Sequence, residues 1–210
     1  MKNNTVFVLL AGGKSKRMGV DKGLLKYQQT FWILEQLNRI SKTTISEVYV
    51  GLGYNFENYF NAIPWLKKSL TTSTNFQGLK INIVINKTPE LGSFSTLQTV
   101  LNKIDTSKNI ALNHIDIPIL NSEEFQTIIN TQNTVVIPNF EKKNGHPIKM
   151  DSKFWELLIH LNPRDEKARL DFQIKKLNPA EISKISVEDN SVIKNLNNKS
   201  DWVSYLKEIN

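Results

Sequence analysis

The 210-residue chain is longer than a minimal domain and shorter than two average ones, so a prior of about 150 residues per domain favours one unit spanning 1–210. Its 27 basic and 20 acidic residues give +7, open to nucleic acid, a membrane surface or a nucleotide, while 40% hydrophobic and 22% charged content argues against disorder. The absence of cysteine excludes disulfides, thiolate metal sites and cysteine nucleophiles, and the reducing cytoplasm is the expected compartment.

Residues 5–10 (TVFVLL) form a continuous apolar run, the mark of a strand buried on both faces. It is too short for a signal-peptide core, and no run approaches the roughly 18 apolar residues of a membrane span. Phe31, Leu34, Leu37 and Ile40 recur at helical spacing. Residues 46–51 and 81–86 read as strands, and 64–80 as an irregular surface loop. A helix over 95–104 precedes a strand at 109–113, and Asn121 with Glu124 reads as a capping box opening a helix to about 131. Residues 134–138 and 146–150 bracket a turn-like segment and suit a hairpin. Helices at 152–161 and 166–176 follow, then a strand pair near 182–195. The last helix starts at Ser200 and turns Trp202, Val203, Leu206 and Ile209 inward.

Strands alternating with helices predict an α/β fold with a mostly parallel sheet covered on both faces. Ligands then bind at the carboxyl ends of strands near a reversal of strand order, which directs attention to the loops after Leu10, Val50, Asn86 and Asn113.

The strongest local signal is LLAGGKSKRMGVDKG, residues 9–23, directly after the first strand. Its glycines leave backbone amides free to approach phosphate oxygens, and Lys14, Lys16, Arg17 and Lys22 put four cations within nine residues. Arg17 can fork onto two oxygens, whereas Lys22 acts as a mobile point charge. A Walker A loop would need glycine where Val8 stands, and a dinucleotide fingerprint from Gly51 and Gly53 would need glycine at Phe56. Both motifs are therefore rejected. The competing reading is a polar loop whose lysines are merely solvated. A basic nucleic-acid module is a further reading, but the chain shows neither aromatic residues interleaved with its lysines nor a known motif.

Residues 9–23 resemble the signature L-A-G/A-G-x-S-x-R-M-G-x-D-K of the MobA-like nucleotidyltransferases that finish the molybdenum cofactor. The resemblance implies a Rossmann-like three-layer α/β/α domain with a partly mixed sheet. It also implies Mg2+-dependent transfer of a nucleotidyl group from a nucleoside triphosphate to a phosphorylated acceptor. By this likeness Leu10, Ala11, Gly12, Gly13, Lys14 and Ser15 hold phosphates, and Arg17 and Lys22 stabilise charge on the transferred and leaving groups. NHIDIPIL (113–120) resembles the family's D-x-P segment and assigns the metal-binding aspartate to Asp116, which could otherwise simply open a turn before Pro118. NLNNKSDW (195–202) resembles N-x-N-T-P-E-D-L, which gives Asn197 a share in the metal or triphosphate; Asn198-Lys199 departs from Thr-Pro, and Ser200 reads as an N-cap. Gly-His-Pro at 145–147 makes His146 a candidate acceptor contact, as ARLDF (168–172) does Arg169, whereas His114 and His160 read as structural.

The resemblance places the base or ribose near Gly53, Asn86 and Ser95, after the second and third strands, where Ser95 could equally be an ordinary helix cap. The Ala-Gly-Gly and Asp-Lys-Gly forms lean towards GTP, and Gly-His-Pro pulls towards CTP. Molybdopterin is the implied acceptor, with a molybdoenzyme or chaperone as a possible recipient of product and neither nucleic acid nor membrane as partner. A sugar or alditol phosphate acceptor, or a non-catalytic protein that delivers nucleotide or cofactor, are the alternatives.

Overall fold

The structure, a computed structural model, describes residues 4–209. Strand β1 (Thr5–Ala11) is buried at every position, as its unbroken apolar run requires. A small hairpin, β2 (Lys26–Tyr27) and β3 (Thr30–Phe31), leads into α1 (Trp32–Ser41). Next come β4 (Glu47–Leu52), α2 (Phe56–Ala62), α3 (Trp65–Lys68), β5 (Thr74–Phe76) and β6 (Leu79–Ile85). The chain continues through α4 (Gly92–Leu101), β7 (Asn109–His114), α5 (Ser122–Asn130), β8 (Val135–Phe140), β9 (Lys143–Asn144) and β10 (Ile148–Met150). It ends with α6 (Ser152–Ile159), α7 (Leu170–Ile174), β11 (Ile182–Ser186) and α8 (Lys199–Ile209).

The main sheet runs β11-β8-β10-β7-β1-β4-β6-β5, with β9 beside β8. The four central strands β7, β1, β4 and β6 are parallel, and β10 lies antiparallel between β7 and β8. This is the mostly parallel, partly mixed α/β sheet expected. Side chains of β1 alternate between two cores. Phe7, Leu9 and Ala11 pack with Trp32 and Leu37 of α1 and Phe125 of α5, whereas Val6, Val8 and Leu10 meet Leu97 and Val100 of α4 and Trp155 of α6. From β1 the chain moves outward to β4 and β6, then crosses back to β7 on the other side of β1. That reversal opens a crevice at the carboxyl ends of β1 and β7. No helix among the described residues is long and apolar enough to cross a membrane.

Several local expectations are corrected. Residues 64–80 are ordered rather than irregular: Gln77 (φ 50°) and Gly78 (φ 85°) turn β5 back onto β6, and Trp65 stacks on Phe76 at 5.7 Å. The inward face of α1 is Ile33, Gln36, Leu37 and Ile40, with Phe31 and Leu34 only partly buried. The pair near 182–195 is one strand, β11, because Asp189 caps a 3-10 turn at Asn190–Ile193 that buries Val192. Helix α8 buries Trp202 and Tyr205, whereas Val203 is 49% and Ile209 41% exposed. Val203 lies about 100° round the helix from Trp202 and about 160° from Tyr205, so it falls outside the stripe these two bury.

Candidate active site

The segment after β1 doubles back on itself. Ser15 adopts φ 50°, and its carbonyl accepts from the amides of Met18 and Gly19. Its hydroxyl accepts from the Lys22 amide at 3.1 Å, leaving the hydroxyl proton free to donate. Met18 is buried and anchors the loop, while Lys16 and Arg17 stand exposed with no ion-pair partner among the described residues. Lys14 Nζ lies 4.5 Å over the Tyr54 ring. A side chain at Gly13 would meet no protein atom within 4 Å and would project into open space. A bare backbone there lets a phosphate approach.

Lys22 is held from behind. Buried Asp21 accepts from Asn55 Nδ2 at 3.1 Å and Asn58 Nδ2 at 2.8 Å, so α2 anchors the residue beside it. Gly23 fits beneath the buried Tyr59, where an added Cβ would lie 2.7 Å from the ring. Burial, with Asp21 adding to it, pushes the Tyr59 phenol far above its ordinary value, so it stays a neutral donor and acceptor. Asp21 and Tyr59 were not singled out from the sequence. Only the Asp-Lys-Gly order hinted at the first, and nothing hinted at the second.

From this support Lys22 Nζ reaches Asp116 Oδ2 at 2.7 Å and Asn197 Oδ1 at 2.9 Å, partners 94 and 175 residues away in the chain. The Lys22 and Asp116 side chains are 14% and 22% exposed. Asp116 stands in the loop after β7, on the far side of the crevice from the phosphate loop. That loop is tied down by Ile115 N donating to Leu10 O, by Trp32 Nε1 donating to Ile115 O at 2.7 Å, and by Leu196 N donating to Asp116 O. Asn197 precedes α8, whose cap is Asn198 and not Ser200: Asp201 N donates to Asn198 Oδ1, and Asn198 N donates back to Asp201 Oδ2. The departure from Thr-Pro thus preserves a capping box.

Among the described residues no group of three or more histidine or carboxylate side chains could hold a metal. The chain offers two oxygen donors, Asp116 and Asn197. This set fits Mg2+, a hard cation commonly bound by one or two carboxylates together with substrate phosphates and water. The two oxygens already converge on one cation, the Lys22 ammonium.

Asn86 and Ser95 do not face the crevice. Asn86 is buried, donating to Ser95 Oγ and Thr96 Oγ1 and accepting from Thr88 N, so its amide joins β6 to α4 and is not free to read a base. Ser95 is likewise buried and donates to Gly92 O at 2.8 Å. Gly53 lies behind the phosphate loop, where an added Cβ would sit 2.7 Å from Gly12 O. None of the three lines the phosphate cleft.

Three cavities meet here. The phosphate cleft, about 460 Å³, is lined by Gly13, Ser15, Arg17, Lys22, Asp116 and Asn197 among others, with Leu10 and Ala11 in its floor. A second, about 480 Å³, has apolar walls including Phe94, Leu97, Ile148 and Ile174, with His146, Arg169 and Lys175 also lining it. A third, about 490 Å³, lies between Asp116, Lys143 and Asn195. Arg169 sits at a break where the expected 166–176 helix divides into a 3-10 turn and α7, and its exposed side chain pairs with Asp171 at 3.1 Å. His146 Nδ1 lies 3.4 Å from Leu112 O, and its ring meets the His114 ring edge to face at 5.3 Å. Burial first, then His114, pushes His146 down to about 4, and burial also lowers His114. Reading His114 as purely structural missed its place in all three cavities; its proximity to Asp116 in sequence was the available signal.

The family model of the MobA-like NTP transferase domain matches residues 7–179. Comparison with curated protein sequences gave no match. Among solved structures, a homologue of Mycobacterium tuberculosis rv0371c from Mycobacterium sp. strain JC1 is similar with TM-score 0.75 at 19% identity, covering 100% of this chain and 98% of that one. M. tuberculosis Rv0371C in complex with manganese gives 0.71 at 17%, covering 97% and 98%. The 4-diphosphocytidyl-2C-methyl-D-erythritol synthase of Anaerococcus prevotii gives 0.70 at 14%, covering 98% and 95%.

Proposed function

The chain belongs to the MobA-like NTP transferase family, and we propose that it transfers the nucleotidyl group of GTP to the terminal phosphate of molybdopterin, releasing pyrophosphate. The observation that carries nucleotidyl transfer is the convergence of Lys22, Asp116 and Asn197 beside the open face of Gly13, at the strand-order reversal. GTP rests on the Ala11-Gly12-Gly13 and Asp21-Lys22-Gly23 forms of the loop, and molybdopterin on the family resemblance. Product would pass to a molybdoenzyme or its chaperone.

An acceptor phosphate oxygen, already ionised at neutral pH, attacks the α-phosphorus in line. The new P–O bond forms as the bond to the β-phosphate oxygen breaks, and pyrophosphate leaves with that electron pair. No general base is needed, because the attacking oxygen carries no proton to remove. Backbone amides at Gly12 and Gly13 and the Ser15 hydroxyl orient the triphosphate, and Arg17 and Lys22 neutralise charge developing on the leaving group. Asp116 and Asn197 would hold Mg2+, which supplies further neutralisation when bound.

Pyrophosphate release measured with each of the four nucleoside triphosphates, with and without molybdopterin, tests this directly. Turnover with GTP and molybdopterin, abolished by a chelator and restored by Mg2+, is expected. Turnover only with an alditol or sugar phosphate would move the acceptor assignment, and nucleotide binding without turnover would mark a delivery protein.

A further inference from the structure

His114 ends β7, opposite Leu10 in the parallel register with β1, two residues before Asp116. Its ring is half-buried. Among the described residues it is the one that lines all three cavities. It therefore stands where the phosphate cleft opens into the apolar pocket holding His146 and Arg169. Its ring meets His146 through an aromatic edge, and no hydrogen bond within the described residues engages either of its nitrogens. His146, by contrast, has one nitrogen directed to the Leu112 carbonyl.

An imidazole at such a junction has one donor and one acceptor to offer. In nucleotidyl transfer, the atoms that lie between the triphosphate site and the acceptor site are the attacking oxygen and the phosphate that carries it. Arg169 lines the apolar pocket but not the phosphate cleft, and its exposed side chain pairs with Asp171. Lys22 lines the phosphate cleft but neither of the other two cavities, and its ammonium is bonded to Asp116 and Asn197. We infer that His114 contacts the acceptor, donating a ring N–H to its terminal phosphate and aligning the attacking oxygen at the boundary between the two sites. The inference rests on the nucleotidyl-transfer reading given above.

The test separates acceptor handling from nucleotide handling. With whichever phosphorylated acceptor supports pyrophosphate release by the unaltered protein, His114→Phe keeps an aromatic ring against His146 and removes both nitrogens. Its kcat/KM for the acceptor should fall at least ~10-fold, the scale of one lost hydrogen bond to a charged group, while the KM for nucleoside triphosphate stays within about twofold. His114→Gln, which retains an N–H near the position of Nε2, should recover activity, whereas His114→Met, matched in length, should not. Melting temperatures are recorded for each, and if His114→Phe is unfolded the Gln and Met pair decides. Equal acceptor kcat/KM for Gln and Met, or a loss confined to nucleotide KM, overturns the role of His114. A wild-type protein inert towards molybdopterin, alditol phosphates and sugar phosphates alike overturns the nucleotidyl-transfer reading and this inference with it.

Discussion

Lys22 and Asp116 form one electrostatic unit at 2.7 Å, yet they are expected to act differently: the ammonium on phosphate oxygens, while the carboxylate would hold a divalent cation. Lys22→Ala and Asp116→Ala should each lower turnover at least ~100-fold, the loss associated with one preorganised charge stabiliser. Steady-state pyrophosphate release checks this, and near wild-type rates in both would remove them from the site. His146 makes a separate prediction. Its folded value of about 4 lies below the ordinary 6.5, so the unfolded chain takes up a proton more readily between these values. The stability this contributes is complete above about pH 6.5 and is lost as pH falls towards 4. Urea titrations across this window should show a steeper acid loss in wild type than in His146→Asn.

The turn after β1 depends on two glycines for opposite reasons. Gly53 lacks a side chain because Gly12 O would be 2.7 Å from it, whereas Gly13 lacks one although the protein leaves room. Gly53→Ala should therefore cost about 1–3 kcal/mol through overpacking and disturb the phosphate loop. Gly13→Ala should leave stability within about 0.5 kcal/mol, as for an ordinary surface change, yet raise nucleotide KM. Urea unfolding alongside nucleotide titration distinguishes them, and equal destabilisation by the two would contradict this division. The same contrast marks what was legible here. The Gly-Gly-Lys-Ser-Lys-Arg order pointed to a candidate phosphate loop, but only packing identified Gly53 as a contact between loops. Asn86 shows a related difference. A polar residue at a strand end looks available to ligand, and its burial among Ser95, Thr96 and Thr88 depends on how α4 folds back over β6.

Helix α8 joins the end of the described chain to its beginning. Trp202 meets Trp32 edge to face at 5.1 Å, and Tyr205 meets the same ring at 5.5 Å. Trp32 in turn donates to Ile115 O beside Asp116, so this aromatic cluster supports both Asp116 and, through the Asp201 carboxylate at the start of α8, Asn197. Trp202→Ala should cost about 3–5 kcal/mol, typical of a deleted core aromatic. It should also raise nucleotide KM more than an equally destabilising change remote from the site, such as Trp155→Ala in the opposite core. Equal effects of the two on KM would separate the cluster from the active site.

Much follows from the order of residues alone. The unbroken apolar run of β1 and the alternation of strand and helix signals indicate an α/β sheet, because burial on both faces removes the polar alternation of an exposed strand. The basic glycine loop stood out as a short local pattern whose chemistry is carried by side-chain type, whereas Asp116 and Asn197 were singled out through the family resemblance. Which residues meet was decided by the tertiary structure. Asp21, Tyr59, Trp32 and His114 acquire their roles from contacts across strands and helices distant in sequence, and hydrophobic periodicity carries no information about such partners. The crossing from β6 back to β7 brings the 94- and 175-residue separations from Lys22 down to hydrogen-bond distance. The reversal of strand order is what turns three separate loops into one site, since it leaves the carboxyl ends of β1 and β7 side by side with no helix crossing between them.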